Sequence, residues 1–178
     1  GNHNQTGNTF DVAINSSGFF QVLMPDGSLA YTRDGSFQPS ATGQLVTASG
    51  YPVQPAITIP QGAQSVSIGS DGTVQVQLAG QSSPSTIGTL QLANFVNPAG
   101  LQPNGDNLLL QSASSGTAQT GQPGVNGLGL LKQGSVESSN VNVVEEMVDM
   151  IETQRAYEMN TKAISTNDQM LQYLDSNL

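Results

Sequence analysis

Glycine and proline stop abruptly in this chain. All 20 glycines and all nine prolines stand at or before Gly134, and the last 41 residues, Ser138 to Leu178, hold neither. These two residues punctuate turns and interrupt helices. The break therefore divides the chain into a linker or tail (1–10), a β-rich body (11–137) and one long helix (138–178). The expected fold class is mainly β with one long C-terminal α-helix, a compact β-rich body plus an extended helix suited to bundle packing.

Within the body, short apolar runs alternate with turn signals. Phe19 to Met24, Pro25-Asp26-Gly27-Ser28 and Leu29 to Arg33 read as a hairpin. Proline presets the first turn position, and Asp-Gly tolerates the left-handed geometry that closes the turn. Val66 to Ile68, Ser70-Asp71-Gly72 and Thr73 to Leu78 read as a second hairpin, with Val74, Val76 and Leu78 on one face. Ile87 to Val96 reads as one further strand, Leu108 to Leu110 as a short one, and Ser112 to Gly129 as loop. The Asp-Gly pairs at 26, 34 and 71 are unequally spaced and lack the alternating oxygen ligands of a calcium loop. Turn chemistry is their reading.

The helix is expected to begin at Asn142, which can cap it, with Glu145 as the reciprocal partner of a capping box. Run to Asp175, it would extend roughly 50 Å at ~1.5 Å per residue. Its apolar stripe comprises Val144, Met147, Val148, Ile151, Tyr157, Ile164, Met170, Leu171, Leu174 and Leu178, interrupted by Gln154, Thr161, Asn167 and Asp168. A small β-body cannot cover a rod of that length. The stripe therefore predicts partner helices, with Gln154 and Thr161 available for hydrogen bonds between them. A helix folded back on its own body is the alternative.

Composition excludes several functions. The net charge is −9, and Arg33, Lys132, Arg155 and Lys162 are the only cations besides His3. Phosphate backbones and anionic bilayers both demand clustered cations, so neither nucleic acid nor a membrane surface is an expected partner. No apolar run reaches the ~20 residues a bilayer-spanning helix needs. The chain has no cysteine and one histidine, which leaves no disulfide framework, thiolate metal site or histidine-dependent triad. No catalytic residue, metal site or cofactor is expected. The start has neither an initiator Met nor a signal-peptide core, and reads as that of a fragment or trimmed chain.

Two segments carry a family resemblance. The first is Asp11-Val12-Ala13-Ile14-Asn15 through Gly18-Phe19-Phe20-Gln21-Val22, then Tyr31-Thr32-Arg33-Asp34-Gly35-Ser36-Phe37 and Gly43-Gln44-Leu45-Val46. The second is Ser139 to Ile151 followed by Thr153-Gln154-Arg155-Ala156-Tyr157-Glu158-Met159-Asn160. Together they resemble the bacterial flagellar rod and hook family, the second segment its rod members in particular. The resemblance implies a structural, non-enzymatic subunit of a helical tube that transmits motor torque. Residues 138–178 would form part of its inner layer and the β-body its outer layer. An N-terminal helical segment and a connecting stretch would precede Gly1.

The implied partners are further copies of the chain, adjacent rod and hook proteins, and the peptidoglycan and outer-membrane rings. The implied location is the basal body, spanning the periplasm, reached through the flagellar export channel. A hook or proximal rod subunit is the alternative within the family, and a secreted β-rich adhesin-like module is the alternative from another class. The motif turn Tyr31, Thr32, Arg33, Asp34, Gly35 and Phe37 is the family signature in the body. For Arg33 two readings stand: an intersubunit contact, or a local pair with Asp34 or Asp11.

Overall fold

A computed structural model describes residues 2–138. The chain opens with β1 (His3–Gln5), turns at Gly7, and continues into β2 (Val12–Asn15) and β3 (Phe19–Leu23). Next come β4 (Leu29–Thr32), β5 (Phe37–Pro39), β6 (Leu45–Thr47) and β7 (Val53–Gln54). The middle of the chain forms β8 (Ala63–Ile68), β9 (Thr73–Leu78), β10 (Ser85–Thr89) and β11 (Leu92–Asn94). A 3-10 turn at Pro98–Gly100 precedes β12 (Gln102–Pro103), β13 (Leu109–Leu110) and β14 (Gln119–Gly121). The described chain ends with β15 (Leu130–Gln133) and β16 (Ser135–Glu137).

These strands make one larger sheet and four small ones. The larger runs β12-β13-β4-β3-β11-β14, with β7 also paired to β3. A three-stranded sheet runs β10-β9-β8, and three two-stranded ribbons are β15-β2, β5-β6 and β1-β16. Every pairing is antiparallel.

Side-chain alternation along the central strands builds two apolar clusters. Phe20, Val22, Ala30 and Leu92 face the main core, where Ile14, Leu45, Val53, Ile57, Val74 and Leu90 join them. Phe19, Tyr31 and Ala93 are their alternating neighbours and face a second cluster with Phe95 and Leu101. In the main core, Phe20 and Phe37 meet edge to face at 4.9 Å. In the second, Tyr31 and Phe95 do so at 4.8 Å. Each fully buried large side chain contributes about 1.5–3 kcal/mol.

The first hairpin falls where the sequence places it, with Val22 opposite Ala30 and Leu23 opposite Leu29. The second pairs β8 with β9, Val66 opposite Val76. The three Asp-Gly turns share one device. The carboxylates of Asp26, Asp34 and Asp71 accept the backbone N–H two residues on, at 2.9, 3.1 and 3.0 Å.

Three expectations are corrected. The mainly β class with a long C-terminal helix gives way to strands alone: among the described residues there is a single 3-10 turn and no α-helix. Punctuation by glycine and proline holds each element to a few residues. The stretch assigned to the helix, from Asn142 onward, falls outside the described residues. Ile87 to Val96 is two strands, not one. After β10 the chain leaves the three-stranded sheet, its Leu90 N–H bonded to the Gly72 carbonyl at 2.7 Å, and enters the larger sheet as β11. The stretch 112–129, expected as loop, contains β14, whose polar residues lie antiparallel to Leu92–Asn94. Residues 1–10, expected as a linker or tail, include the paired strand β1.

Candidate functional site

The motif turn after β4 gathers what the sequence singled out. Tyr31 is buried in the second cluster, and burial raises its phenol above the usual tyrosine value of 10.0. Thr32 is buried too, its hydroxyl accepting the Asp34 N–H at 3.0 Å. Asp34 also accepts from the Asn107 amide at 3.4 Å. Phe37 packs edge-on against Phe20 in the main core. Gly35 is required by close approach. Its carbonyl accepts the Val12 N–H at 3.0 Å, and an added Cβ would overlap the Val12 carbonyl.

Arg33 pairs with neither Asp34 nor Asp11. Its Nε donates to Glu137 Oε2 at 2.7 Å. One terminal nitrogen donates to the carbonyls of Ser16 and Gly18, both at 2.7 Å, and the other to the Ile14 carbonyl at 3.2 Å. Ser16 and Gly18 both have positive φ, 95° and 128°, and the turn they shape aims two carbonyls at one guanidinium. The planar fork of arginine suits such multiple capture, which a lysine point charge does not reproduce. The Arg33 and Glu137 side chains are 27% and 21% exposed.

Glu137 was not singled out in the sequence. It stands 104 residues from Arg33 and its neighbourhood reads only as the approach to the final segment. The β1-β16 pairing that presents it carries no hydrophobic alternation to reveal it. That ribbon aligns His3 with Glu137, Asn4 with Val136 and Gln5 with Ser135. Ser138 extends it, donating to the Asn2 carbonyl through its N–H at 2.8 Å and its hydroxyl at 2.9 Å. His3 Nε2 stands 3.2 Å from the Ile14 carbonyl oxygen, beside the Arg33 contact. The ribbon therefore brings the two ends of the described chain side by side.

A polar pocket of about 160 Å³ opens beside the motif turn, lined by Thr32, Asp34, Ser36, Thr47, Asp106 and Asn107 among others. Among the described residues no three His, Cys, Asp or Glu side chains stand together as a metal site. No helix there is long and apolar enough to cross a membrane. The stripe residues Val144 to Leu178 and the cap residues Asn142 and Glu145 fall outside the described residues.

A body with a signature turn at its middle and both ends leaving through one ribbon defines a class when set beside known proteins. Residues 13–76 match the family described as Flagellar hook protein FlgE/F/G D1 domain. Residues 132–177 match Flagellar basal body rod FlgEFG protein C-terminal. The class is that of flagellar axial proteins.

Individual relatives narrow it. The chain is 57% identical over 174 residues to the flagellar basal-body rod protein FlgG of Buchnera aphidicola subsp. Schizaphis graminum, covering 98% of this chain and 67% of that protein. It is 45% identical over 178 residues to FlgG of Agrobacterium fabrum, covering 100% of this chain and 68% of the relative. Similarity to the flagellar hook protein FlgE of Borreliella burgdorferi, 42% over 88 residues, covers 49% of this chain and 20% of that one. The chain belongs to the flagellar basal-body rod protein FlgG family.

Proposed function

We propose that this chain is a structural subunit of the flagellar distal rod, at work in the basal body, and catalyses no reaction. The observation that carries the reading is identity to rod proteins along nearly the whole chain, 57% over 174 residues in one relative. The hook-subunit alternative draws only on a match covering 49% of the chain. The adhesin-like alternative has no relative behind it.

In this reading the rod is a helical tube that passes motor torque to the hook. Copies repeat a heterologous contact that does not close into a ring. Residues 138–178 belong to the inner layer around the export channel, and the β-body faces outward. The apolar residues Val144, Met147, Val148, Ile151, Tyr157, Ile164, Met170, Leu171, Leu174 and Leu178, with Gln154 and Thr161 among them, are the subunit interface. Burying them against sibling chains supplies cohesion at about 25 cal/mol per Å². Adjacent rod and hook proteins cap the stack, and peptidoglycan and the outer-membrane rings surround it. The subunit reaches this periplasm-spanning position through the flagellar export channel.

The absence of cysteine makes the test clean. Single cysteines placed at Met147, Ile151 or Ile164 in the full-length protein should give disulfide-linked dimers in isolated basal bodies. A cysteine at the exposed Val96 serves as the surface reference. Loss of all crosslinks at the first three positions, in basal bodies where Val96 is readily labelled, would overturn the assigned interface. Absence of the protein from basal bodies would overturn the rod reading.

A further inference from the structure

We infer that the β1-β16 ribbon is a hinged joint and that Arg33 is the lock that fixes its angle against the body; the functional half of this inference rests on the rod reading above. The hinge is visible in the backbone. The ribbon forms a sheet of its own, separate from the β2-β15 ribbon that precedes it in the fold. Only the Gly134 turn lies between β15 and β16. At its base, Gly7 and Gly134 both adopt positive φ, 72° and 77°, and approach so closely that a Cβ on Gly134 would stand 3.8 Å from the Gly7 Cα. The Gly134 carbonyl accepts the N–H groups of Thr6 and Gly7, at 2.8 and 3.1 Å, and its N–H donates to the Asp11 carbonyl at 2.7 Å. Two glycines facing each other give the backbone latitude that other residues would remove.

Beyond that hinge, the ribbon's charge-assisted tie to the body is the Arg33 fork. Its Nε holds Glu137 on β16, while its terminal nitrogens hold the carbonyls of Ile14, Ser16 and Gly18 at the end of β2 and in the turn after it. One planar group thereby bonds to both sides of the hinge. His3, opposite Glu137 in the register, adds its contact to the Ile14 carbonyl from the other strand. A single extended strand leaving a domain swivels about its own φ and ψ. A two-stranded ribbon pinned beyond its hinge does not. In a torque-carrying tube such a pin would make body and termini turn together. Arg33 is in this sense a positioning residue.

The test separates a lock from a general stabiliser. Amide hydrogen exchange is measured on the chain carrying Arg33→Gln, Arg33→Lys or Glu137→Gln. In Arg33→Gln, exchange at ribbon amides such as Asn4 and Val136 should accelerate about tenfold, the scale of a lost charge-assisted hydrogen bond. Amides of Phe20 and Val22 should keep their protection. Glu137→Gln retains an acceptor and should accelerate the ribbon by a smaller factor, with Arg33→Lys between the two. Unchanged ribbon exchange in Arg33→Gln, or equal acceleration of ribbon and core, overturns the lock. Should Arg33→Gln fail to fold, Glu137→Gln decides: ribbon-only acceleration supports the lock and no change overturns it. In cells, Arg33→Gln in the full-length protein should enter basal bodies yet swim more slowly in viscous medium. Wild-type swimming there overturns the torsional role and leaves the rod reading standing. Absence of even the wild-type protein from basal bodies overturns the rod reading and leaves the exchange result untouched.

Discussion

The main sheet and the terminal ribbon are both antiparallel β-structure, but different forces hold them. The sheet carries Phe20, Val22, Ala30 and Leu92 into a common apolar cluster, each with no measurable exposure. The ribbon buries almost nothing apolar. His3, Asn4 and Gln5 face Glu137, Val136 and Ser135, and the pair depends on its ladder, on the Ser138 bonds to Asn2 and on Arg33. Apolar burial is non-directional and fixes whether the domain folds. Directional hydrogen bonds fix where one element points once it has folded. A domain that must be stable and also hold its termini at a set angle uses one for each task.

The largest effect tests the apolar half. Phe20→Ala removes a fully buried ring from the main core, along with its 4.9 Å edge contact with Phe37. It should cost about 3–5 kcal/mol, read as a lowered midpoint of chemical denaturation. Ribbon and sheet amides should then lose protection together, because the ribbon has no core of its own. A ribbon that kept its protection while the sheet lost it would break the comparison.

Gln133 tests how far a single polar side chain can do the work of a strand. The edge of β8 is met there by a carboxamide. The Ile68 N–H donates to Gln133 Oε1 at 3.1 Å, while Nε2 donates to the Val66 carbonyl at 3.0 Å and the Thr9 carbonyl at 2.8 Å. The amide thus imitates a neighbouring peptide along the strand edge. Gln133→Ala leaves these groups without that partner and should cost about 1–3 kcal/mol. The Ile68 amide should exchange faster. Gln133→Glu should fare no better, since a carboxylate can receive the Ile68 N–H but cannot donate to either carbonyl. Wild-type protection of Ile68 in both variants would show that the edge needs no such cover.

What was readable in the sequence follows the same division. Hairpins β3-β4 and β8-β9 were legible because alternation and Asp-Gly turns are local signals within a dozen residues. The motif turn was legible as a unit, and the structure brings Tyr31, Thr32, Asp34, Gly35 and Phe37 to distinct packing and turn roles. The split of Ile87–Val96 was not, because a strand that changes sheets keeps its apolar rhythm: Leu90 and Leu92 are both fully buried on either side of the crossing. The ribbon was invisible for the opposite reason. His3-Asn4-Gln5 has no apolar period, and its pairing spans more than a hundred residues. The partner of Arg33 was missed with it, since nearby carboxylates are the default reading of a lone arginine and Glu137 is near only in space.

Tyr31 probes the second cluster on the sheet. Burial lifts its phenol above 10.0, so the folded protein keeps the proton more tightly than the unfolded chain does. The stability this represents is whole below the unfolded value and is lost as pH rises through the folded one. Denaturation midpoints should therefore fall above about pH 10, and Tyr31→Phe, which keeps the edge contact with Phe95 but cannot ionise, should flatten that fall. An identical alkaline decline in both proteins would place its origin elsewhere.

The smallest expected effect belongs to the turn aspartates, which serve neither cluster nor ribbon. Asp71 is held below the ordinary carboxylate value of 3.8 first by the Thr73 backbone N–H and then by its side chain, and Asp26 by the Ser28 hydroxyl and then by the Ser28 N–H. A lowered folded value means the stabilisation is present above the unfolded value and disappears as pH falls through the folded one. Both carboxylates are fully exposed, so water screens the gain. Carbon-detected NMR titration should find Asp26 and Asp71 ionising below the usual range, while Asp71→Ala leaves the denaturation midpoint at neutral pH almost unmoved. A large loss from that one substitution would show that the β8-β9 turn governs the fold of the main core, and the division of labour between buried apolar rings and directional polar ties would have to be redrawn to include it.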